Sequence, residues 1–121
     1  MKVQFNGKTL AYIGDAVFEL HVRKTLLDKG YVKPDDLHQA AIRHTGAEGQ
    51  KQALKSVESM LNEAEKAVVN RGRNATSARR PKNATLTTYR LATGFEALIG
   101  YLYLNEEKRR LQMMLEAVEI D

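Results

Sequence analysis

The sequence predicts an all-α protein, a single-domain bundle of about six or seven helices spanning residues 1–121. Apolar residues recur at helical spacing along most of the chain, and Gly or Pro stands where each helical pattern stops or starts. One long segment lacks any hydrophobic period and therefore reads as a loop. A chain of 121 residues can bury a normal hydrophobic core, so the fold needs no disulfide or structural metal.

The first two helices are predicted in residues 11–30, AYIGDAVFELHVRKTLLDKG, and residues 33–46, KPDDLHQAAIRHTG. Gly30 suits the position after a helix end, and Pro34 with the acids behind it suits a helix start. The apolar stripe predicted for the first helix consists of Ile13, Val17, Leu20 and Leu27.

The amphipathic residues 47–72 are predicted to form two helices, with a break near Leu61 and Asn62 and an end at Gly72. Residues 73–88, RNATSARRPKNATLTT, form the predicted loop.

Residues 89–104, YRLATGFEALIGYLYL, are apolar on nearly every face. They predict a helix buried on most sides, either by the core or by a partner subunit. Residues 106–120 predict a final amphipathic helix. Its apolar stripe consists of Leu111, Met114, Leu115 and Val118.

Composition excludes several classes of site. The chain has no Cys, and its three His lack the spacing of a helical zinc site, so zinc is not expected. The N-terminus lacks an apolar signal region, and the longest apolar run is far shorter than the roughly 18 residues of a membrane span. We therefore expect a soluble, cytoplasmic protein.

Positive charge is concentrated in one segment, which begins at Lys66, ends at Phe95 and contains no Asp or Glu. Its basic residues are Lys66, Arg71, Arg73, Arg79, Arg80, Lys82 and Arg90. All except Lys66 are candidate nucleic-acid-binding residues, because guanidinium and ammonium groups bind phosphates. Tyr89 is the one aromatic residue in the segment before Phe95, so a base-stacking surface is missing and a duplex fits better than a single strand. Composition alone leaves RNA and DNA both open.

Two carboxylates, Asp15 in YIGDAVF and Glu96 in TGFEALIGYL, stand alone in uncharged surroundings. Gly14 and Ala16 stand beside the first acid, and the residues near the second along the helix axis are Ala92, Thr93 and Gly100. Two helices can cross closely where both present glycine or alanine, which would bring the acids together. Carboxylates held side by side repel unless a cation lies between them, and Mg²⁺ prefers oxygen ligands. We therefore predict that Asp15 and Glu96 hold Mg²⁺.

Simpler roles for the two acids remain open from the residues alone. Asp15 can cap a helix that starts only at Ala16. Glu96 can face solvent or pair with Arg90 or Arg109.

The motifs LAYIGDAVFE and GFEALIGYLYL resemble the two acidic helices of the ribonuclease III catalytic domain. The short length, the KPDDLH segment and the RGRNA…PKN…TYR loop resemble the Mini-III branch of that family most. The resemblance spans nearly the whole chain and keeps the motifs in order.

The resemblance implies a homodimeric endonuclease domain without a separate RNA-binding domain, which cuts double-stranded RNA by Mg²⁺-dependent hydrolysis. Asp15 and Glu96 match the family's catalytic metal-binding acids, and the products would carry 5′-phosphates. It also implies maturation of large-subunit (23S) ribosomal RNA with help from a large-subunit ribosomal protein (L3).

Three positions depart from the larger enzymes of the family: Lys8, Ala11 and Thr93 stand where those enzymes have acids. The rival hypothesis is therefore a non-catalytic helical protein that binds RNA or assists ribosome assembly. A helical DNA-binding module is a more distant third.

The loop arginines give a test of phosphate binding. We expect Arg79→Ala combined with Arg80→Ala to weaken RNA binding and to reduce its salt dependence. The slope of log affinity against log salt should fall by somewhat less than about one unit for each lost phosphate contact. Binding titrations at several salt concentrations measure this slope, and an unchanged slope would mean that these arginines do not touch phosphate.

Overall fold

The computed structural model describes residues 5–75 and 85–121, and within these ranges the chain is helical and contains no strand. Six α-helices follow one another along the chain: α1 (Gly7–Asp28), α2 (Pro34–Thr45), α3 (Ala47–Val57), α4 (Glu63–Asn74), α5 (Leu86–Leu104) and α6 (Lys108–Ala117). A short 3₁₀ helix, Glu58–Met60, follows α3. The predicted all-α class and the predicted number of helices are confirmed.

Local capping sets the helix boundaries, and two helices begin earlier than predicted. The side chain of Asn6 accepts a hydrogen bond from the backbone N–H of Thr9 and starts α1 at Gly7. The Thr85 hydroxyl accepts from the N–H of Thr88 in the same way at the start of α5. The loop predicted at residues 73–88 is therefore shorter, since α4 continues to Asn74.

The break predicted near Leu61 and Asn62 is confirmed. Asn62 caps α4 through a reciprocal pair of hydrogen bonds with Glu65. At the end of α1 the predicted role of Gly30 is also confirmed, because its φ of 103° is a left-handed conformation that favours glycine.

The apolar stripe predicted for α1 is wrong. Ile13 and Val17 are half-buried, while Leu20 and Leu27 are 69% and 52% exposed. The helix has apolar residues on two faces, and periodicity alone does not decide which face meets the core. The residues that α1 buries are Gly7, Leu10, Ala11, Gly14, Phe18, Val22 and Leu26.

Helix α5 lies at the centre of the bundle, with α1, α3 and α4 packed around it and α6 at its C-terminal end. Its buried residues run almost without interruption from Ala92 to Gly100. Phe95 meets Phe18 of α1 edge to face, with ring centroids 5.0 Å apart. The core of this one chain therefore accounts for the apolar character of α5, without a partner subunit.

The predicted stripe of α6 is confirmed: Met114, Leu115 and Val118 are buried, and Leu111 packs against the core. Arg110 on the same helix donates to both carboxylate oxygens of Glu65 and to the carbonyl of Met60. Glu65 is only 2% exposed, so this charged hydrogen-bonding pair holds α6 against the start of α4.

Helices α1 and α5 cross at backbone contact distance, and glycine makes this possible. A Cβ on Gly14 would lie 1.7 Å from the carbonyl oxygen of Glu96, and a Cβ on Gly100 would lie 1.9 Å from that of Leu10. Both distances are far below van der Waals contact. The two helices therefore lie this close only while both positions lack a side chain.

We expect Gly14→Ala to lower the free energy of unfolding by about 2–4 kcal/mol, because the helices must separate to admit the methyl group. Alanine's greater helix propensity, worth about 1 kcal/mol, offsets only part of this. Urea denaturation followed by circular dichroism measures the loss. Gly46→Ala is the comparison, since its Cβ would lie 3.2 Å from the carbonyl oxygen of Ile42, a tight contact that a small shift relieves, in contrast to the 1.7 Å at Gly14. Equal stability of the two variants would contradict the crossing.

Candidate active site

Asp15 lies in the third turn of α1, beside the helix crossing, and its side chain is exposed. Because α1 begins at Gly7, the alternative in which Asp15 caps a helix starting at Ala16 is wrong. The neighbouring Gly14 presses its backbone against the carbonyl of Glu96. The crossing therefore places Asp15 next to Glu96, the acid with which it was predicted to form a metal site.

Glu96 lies on α5 and is half-buried, and its carboxyl group interacts with that of Asp15. Burial raises the pKa of Glu96 most, and together with the hydrogen bonding and the charge of Asp15 it brings the pKa to about 8. The hydrogen bond that Gln50 donates acts against this rise. Glu96 is therefore not a freely exposed side chain, and its contacts are with Asp15 and Gln50. The two alternatives for Glu96, exposure to solvent and an ion pair with Arg90 or Arg109, are wrong.

Gln50 on α3 completes the contacts of Glu96, and sequence reasoning missed it. Its side chain is 3% exposed, and its Nε2 donates to Oε2 of Glu96 over 3.1 Å. A signal was present, since Gln50 begins a buried stripe that continues through Ala53, Leu54 and Val57 at helical spacing. A polar residue at such a core position needs a buried polar partner.

Within residues 5–75 and 85–121, no cluster of three or more His, Cys, Asp and Glu side chains is placed to hold a metal ion. Lys8, Ala11 and Thr93 contribute no carboxylate there: Ala11 is buried in an apolar cluster, Lys8 is exposed, and the Thr93 hydroxyl donates to the carbonyl of Tyr89. Asp15 and Glu96 remain as a pair of oxygen donors. Such a pair fits a hard divalent cation that keeps several of its waters, as Mg²⁺ does.

Glu19, one turn after Asp15, pairs with Arg23 of its own helix at 2.9 Å. It is part of the solvated surface of α1, and an exposed pair of this kind contributes little to stability.

Three of the predicted nucleic-acid-binding residues are described by the structure: Arg71 and Arg73 near the C-terminus of α4, and Arg90 in the N-terminal part of α5. A Cβ on Gly72 would lie 2.9 Å from the Cα of Gly94, so the end of α4 crosses α5 two residues before Glu96. Arg73 extends over this crossing, since its Cγ would lie 2.9 Å from a Cβ on Gly94. Arg71 is half-buried beside it. Arg71 and Arg73 therefore leave α4 at its crossing with α5, where Gly94 lies two residues before Glu96 in the sequence.

Arg90 is exposed on α5, six residues before Glu96, which is about 9 Å along the helix axis. The other predicted nucleic-acid-binding residues, Arg79, Arg80 and Lys82, lie outside the described residues.

None of the described helices has the length and hydropathy that crossing a membrane requires.

Comparison with known proteins identifies similar chains. Residues 8–107 match the model of the Ribonuclease III domain, a range that includes both acids. Mini-ribonuclease 3 of Enterococcus faecalis is 44% identical over 114 residues, which cover 93% of this chain and 86% of that protein. Mini-ribonuclease 3 of Symbiobacterium thermophilum is 48% identical over 109 residues, which cover 90% and 84%.

A solved structure is similar as well. The X-ray crystal structure of a protein from Fusobacterium nucleatum matches with a TM-score of 0.85 at 30% sequence identity. The match covers 95% of this chain and 92% of that one. The likeness therefore extends over the whole helical bundle.

The raised pKa of Glu96 predicts a pH-dependent stability for the metal-free protein. Between about 4.5, the ordinary pKa of Glu, and about 8, the folded state holds a proton that the unfolded state releases, so stability falls as pH rises through this range. We expect a loss of about 2 kcal/mol, which Glu96→Gln should abolish. Urea denaturation in a chelator at about pH 6 and about pH 8.5 measures it.

The exposed Glu63 provides the control for this experiment, because Glu63→Gln should leave the pH dependence intact. A Glu96→Gln variant with the parental pH dependence would show that another group carries it.

Proposed function

The chain belongs to the ribonuclease III family, in its Mini-III branch, and on this premise we propose that Asp15 and Glu96 form the Mg²⁺ site of a double-stranded-RNA endonuclease. The observation that carries the proposal is the meeting of two lone carboxylates at the crossing of α1 and α5. Arg71 and Arg73 lie at the C-terminal end of α4, which crosses α5, and their guanidinium groups are of the kind that binds a phosphate backbone. The protein is an endoribonuclease whose substrate class is double-stranded RNA.

In this proposal Asp15 and Glu96 supply the protein oxygens that hold the cation. When bound, Mg²⁺ would neutralise the scissile phosphate, promote attack by water and stabilise the leaving 3′ oxygen, which yields a 5′-phosphate product. Without a cation, Glu96 retains its proton near neutral pH because of burial and the repulsion of Asp15. Asp15 and Glu96 would hold a cation as two carboxylates, so Glu96 would give up that proton on binding and the repulsion between the two acids would be relieved.

Duplex RNA would be held by Arg71, Arg73 and Arg90, together with Arg79, Arg80 and Lys82 of the segment between α4 and α5. Among the described members, Arg71 and Arg73 flank Gly72, where the end of α4 crosses α5 at Gly94. Contacts of this kind position a duplex without reading its sequence.

We also propose a homodimer, in which each of two sites cuts one strand. The exposed apolar stripe of α1 supports it: Tyr12, Leu20 and Leu27 are 78%, 69% and 52% exposed. Large apolar side chains exposed on one helix, here interspersed with Glu19 and Arg23, can contribute to a surface that another subunit covers. This stripe supports dimerisation better than α5 does, because the chain's own core already buries α5.

The Mini-III relationship suggests the biological substrate. We propose that the enzyme acts in the cytoplasm on precursors of the large-subunit (23S) ribosomal RNA, with a large-subunit ribosomal protein (L3) presenting the duplex.

The alternative of a non-catalytic RNA-binding or ribosome-assembly protein rests on one observation, the small number of acids at the site. Thr93 uses its hydroxyl within its own helix, and Ala11 is packed in the core, so neither substitutes for a missing carboxylate. This alternative predicts duplex binding that Mg²⁺ does not alter and no cleavage with any divalent ion.

Asp15→Asn separates chemistry from binding. Because the change removes a charged oxygen ligand but no phosphate contact, we expect cleavage of a ribosomal-RNA-like duplex to fall by at least about 100-fold while duplex affinity stays within about twofold. Gel-based cleavage and filter binding measure the two quantities separately. Asp28→Asn, an exposed acid on the same helix, is the matched control and should cut at the parental rate. Full-rate cleavage by Asp15→Asn would remove Asp15 from the mechanism.

A further inference from the structure

A buried amide holds one oxygen of the carboxylate that we place in the metal site. Gln50 is 3% exposed, and its Nε2 lies 3.1 Å from Oε2 of Glu96. The contact joins α3 to α5 across 46 residues of sequence, so it is tertiary and does not help to form either helix. It uses Oε2 and leaves Oε1 of Glu96 outside that hydrogen bond.

The side chain of Gln50 is held firmly from behind. Helix α3 starts against the end of α2, where a Cβ on Gly49 would lie 2.3 Å from the carbonyl oxygen of Arg43. From there the helix buries Ala53, Leu54 and Val57 in the core. The backbone of Gln50 is therefore fixed by packing on both sides, and the burial of its side chain restricts the positions from which the amide can reach Glu96.

The chemistry of the amide matters as much as its position. A neutral N–H donor restrains a carboxylate but leaves its charge in place, whereas Lys or Arg at the same position would neutralise Glu96 and compete with a divalent cation. We propose that Gln50 is a positioning residue that orients Glu96 toward the bound cation while preserving its negative charge. The proposal rests on the function proposed above, because it requires a cation at Asp15 and Glu96.

Gln50→Met tests this role, since it keeps a similar volume and removes the donor. Partners of metal ligands typically contribute 10–100-fold to metal affinity, so we expect Mn²⁺ to bind about tenfold more weakly, as measured by electron paramagnetic resonance of the RNA-free protein. The Mg²⁺ concentration for half-maximal cleavage should rise about tenfold, while the rate at saturating Mg²⁺ stays near the parental value. Gln52→Met, an exposed change on the same helix, should match the parent in every measurement.

Asp15→Asn measured alongside distinguishes the two proposals. If Gln50→Met keeps the parental Mn²⁺ affinity and Mg²⁺ requirement while Asp15→Asn loses both, the role of Gln50 is overturned and the metal site stands. A lower rate for Gln50→Met at saturating Mg²⁺ with unchanged affinity also overturns it. If Asp15→Asn binds Mn²⁺ and cuts like the parent, the proposed function itself fails.

Nuclear magnetic resonance of the unmutated protein tests the role of Gln50 even if the Gln50→Met variant does not fold. The side-chain amide protons of Gln50 should exchange slowly with solvent, and their nuclear magnetic resonance signals should shift when Mg²⁺ is added. The shift should be absent in Asp15→Asn. Amide signals of Gln50 that stay fixed while those of residues 14–16 move would overturn the proposal.

Discussion

The structure depends on one contact, the crossing of α1 and α5 with no side chain between them. Gly14 rests on the carbonyl of Glu96, and Gly100 rests on the carbonyl of Leu10. Since Asp15 follows Gly14 directly, the backbone contact that packs the helices also fixes the distance between the two acids. Packing and site geometry are therefore a single constraint at this point.

A second glycine contact relates the basic residues to the same helix. Gly72 of α4 meets Gly94 of α5, and Glu96 lies on α5 between Gly94 and Gly100. Helix α5 thus receives α4 on one side of Glu96 and α1 on the other. The carboxylates that would hold a cation and the arginines that would hold phosphate are therefore attached to α5 by two helix contacts that lie a few residues apart, at Gly94 and at Glu96. Gln50 adds a third constraint from α3.

Local signals carried much of the prediction from sequence. The break at Leu61 and Asn62 and the end of α1 at Gly30 were predicted because turn and cap residues act within a few positions of themselves. The close approach of Asp15 and Glu96 was predicted because glycines flank the acids. The starts at Gly7 and Leu86 were missed, although Asn6 and Thr85 are recognisable caps.

Contacts between residues that are distant in sequence could not be predicted in this way. The core face of α1 was chosen wrongly because the helix has two apolar faces, and only its packing on α5 distinguishes them. The sequence Asn62-x-x-Glu65 indicates a capping box, yet nothing local shows that Glu65 is buried against Arg110, 45 residues away. The partner of Gln50 is equally remote in sequence. The catalytic and RNA-binding roles of the named residues remain predictions.

The way that residues 76–84 are attached has a consequence for how such a protein can change over generations. Ala75 closes the last turn of α4 by donating to the carbonyl of Arg71, and Thr85 caps α5, so both attachment points are fixed independently of what joins them. Changes in the sequence of residues 76–84 leave these two helix ends in place, because neither hydrogen bond uses a residue of that segment. Arg79, Arg80 and Lys82, which we propose as RNA contacts, can thus vary without changing the cap of α5, the helix that carries Glu96.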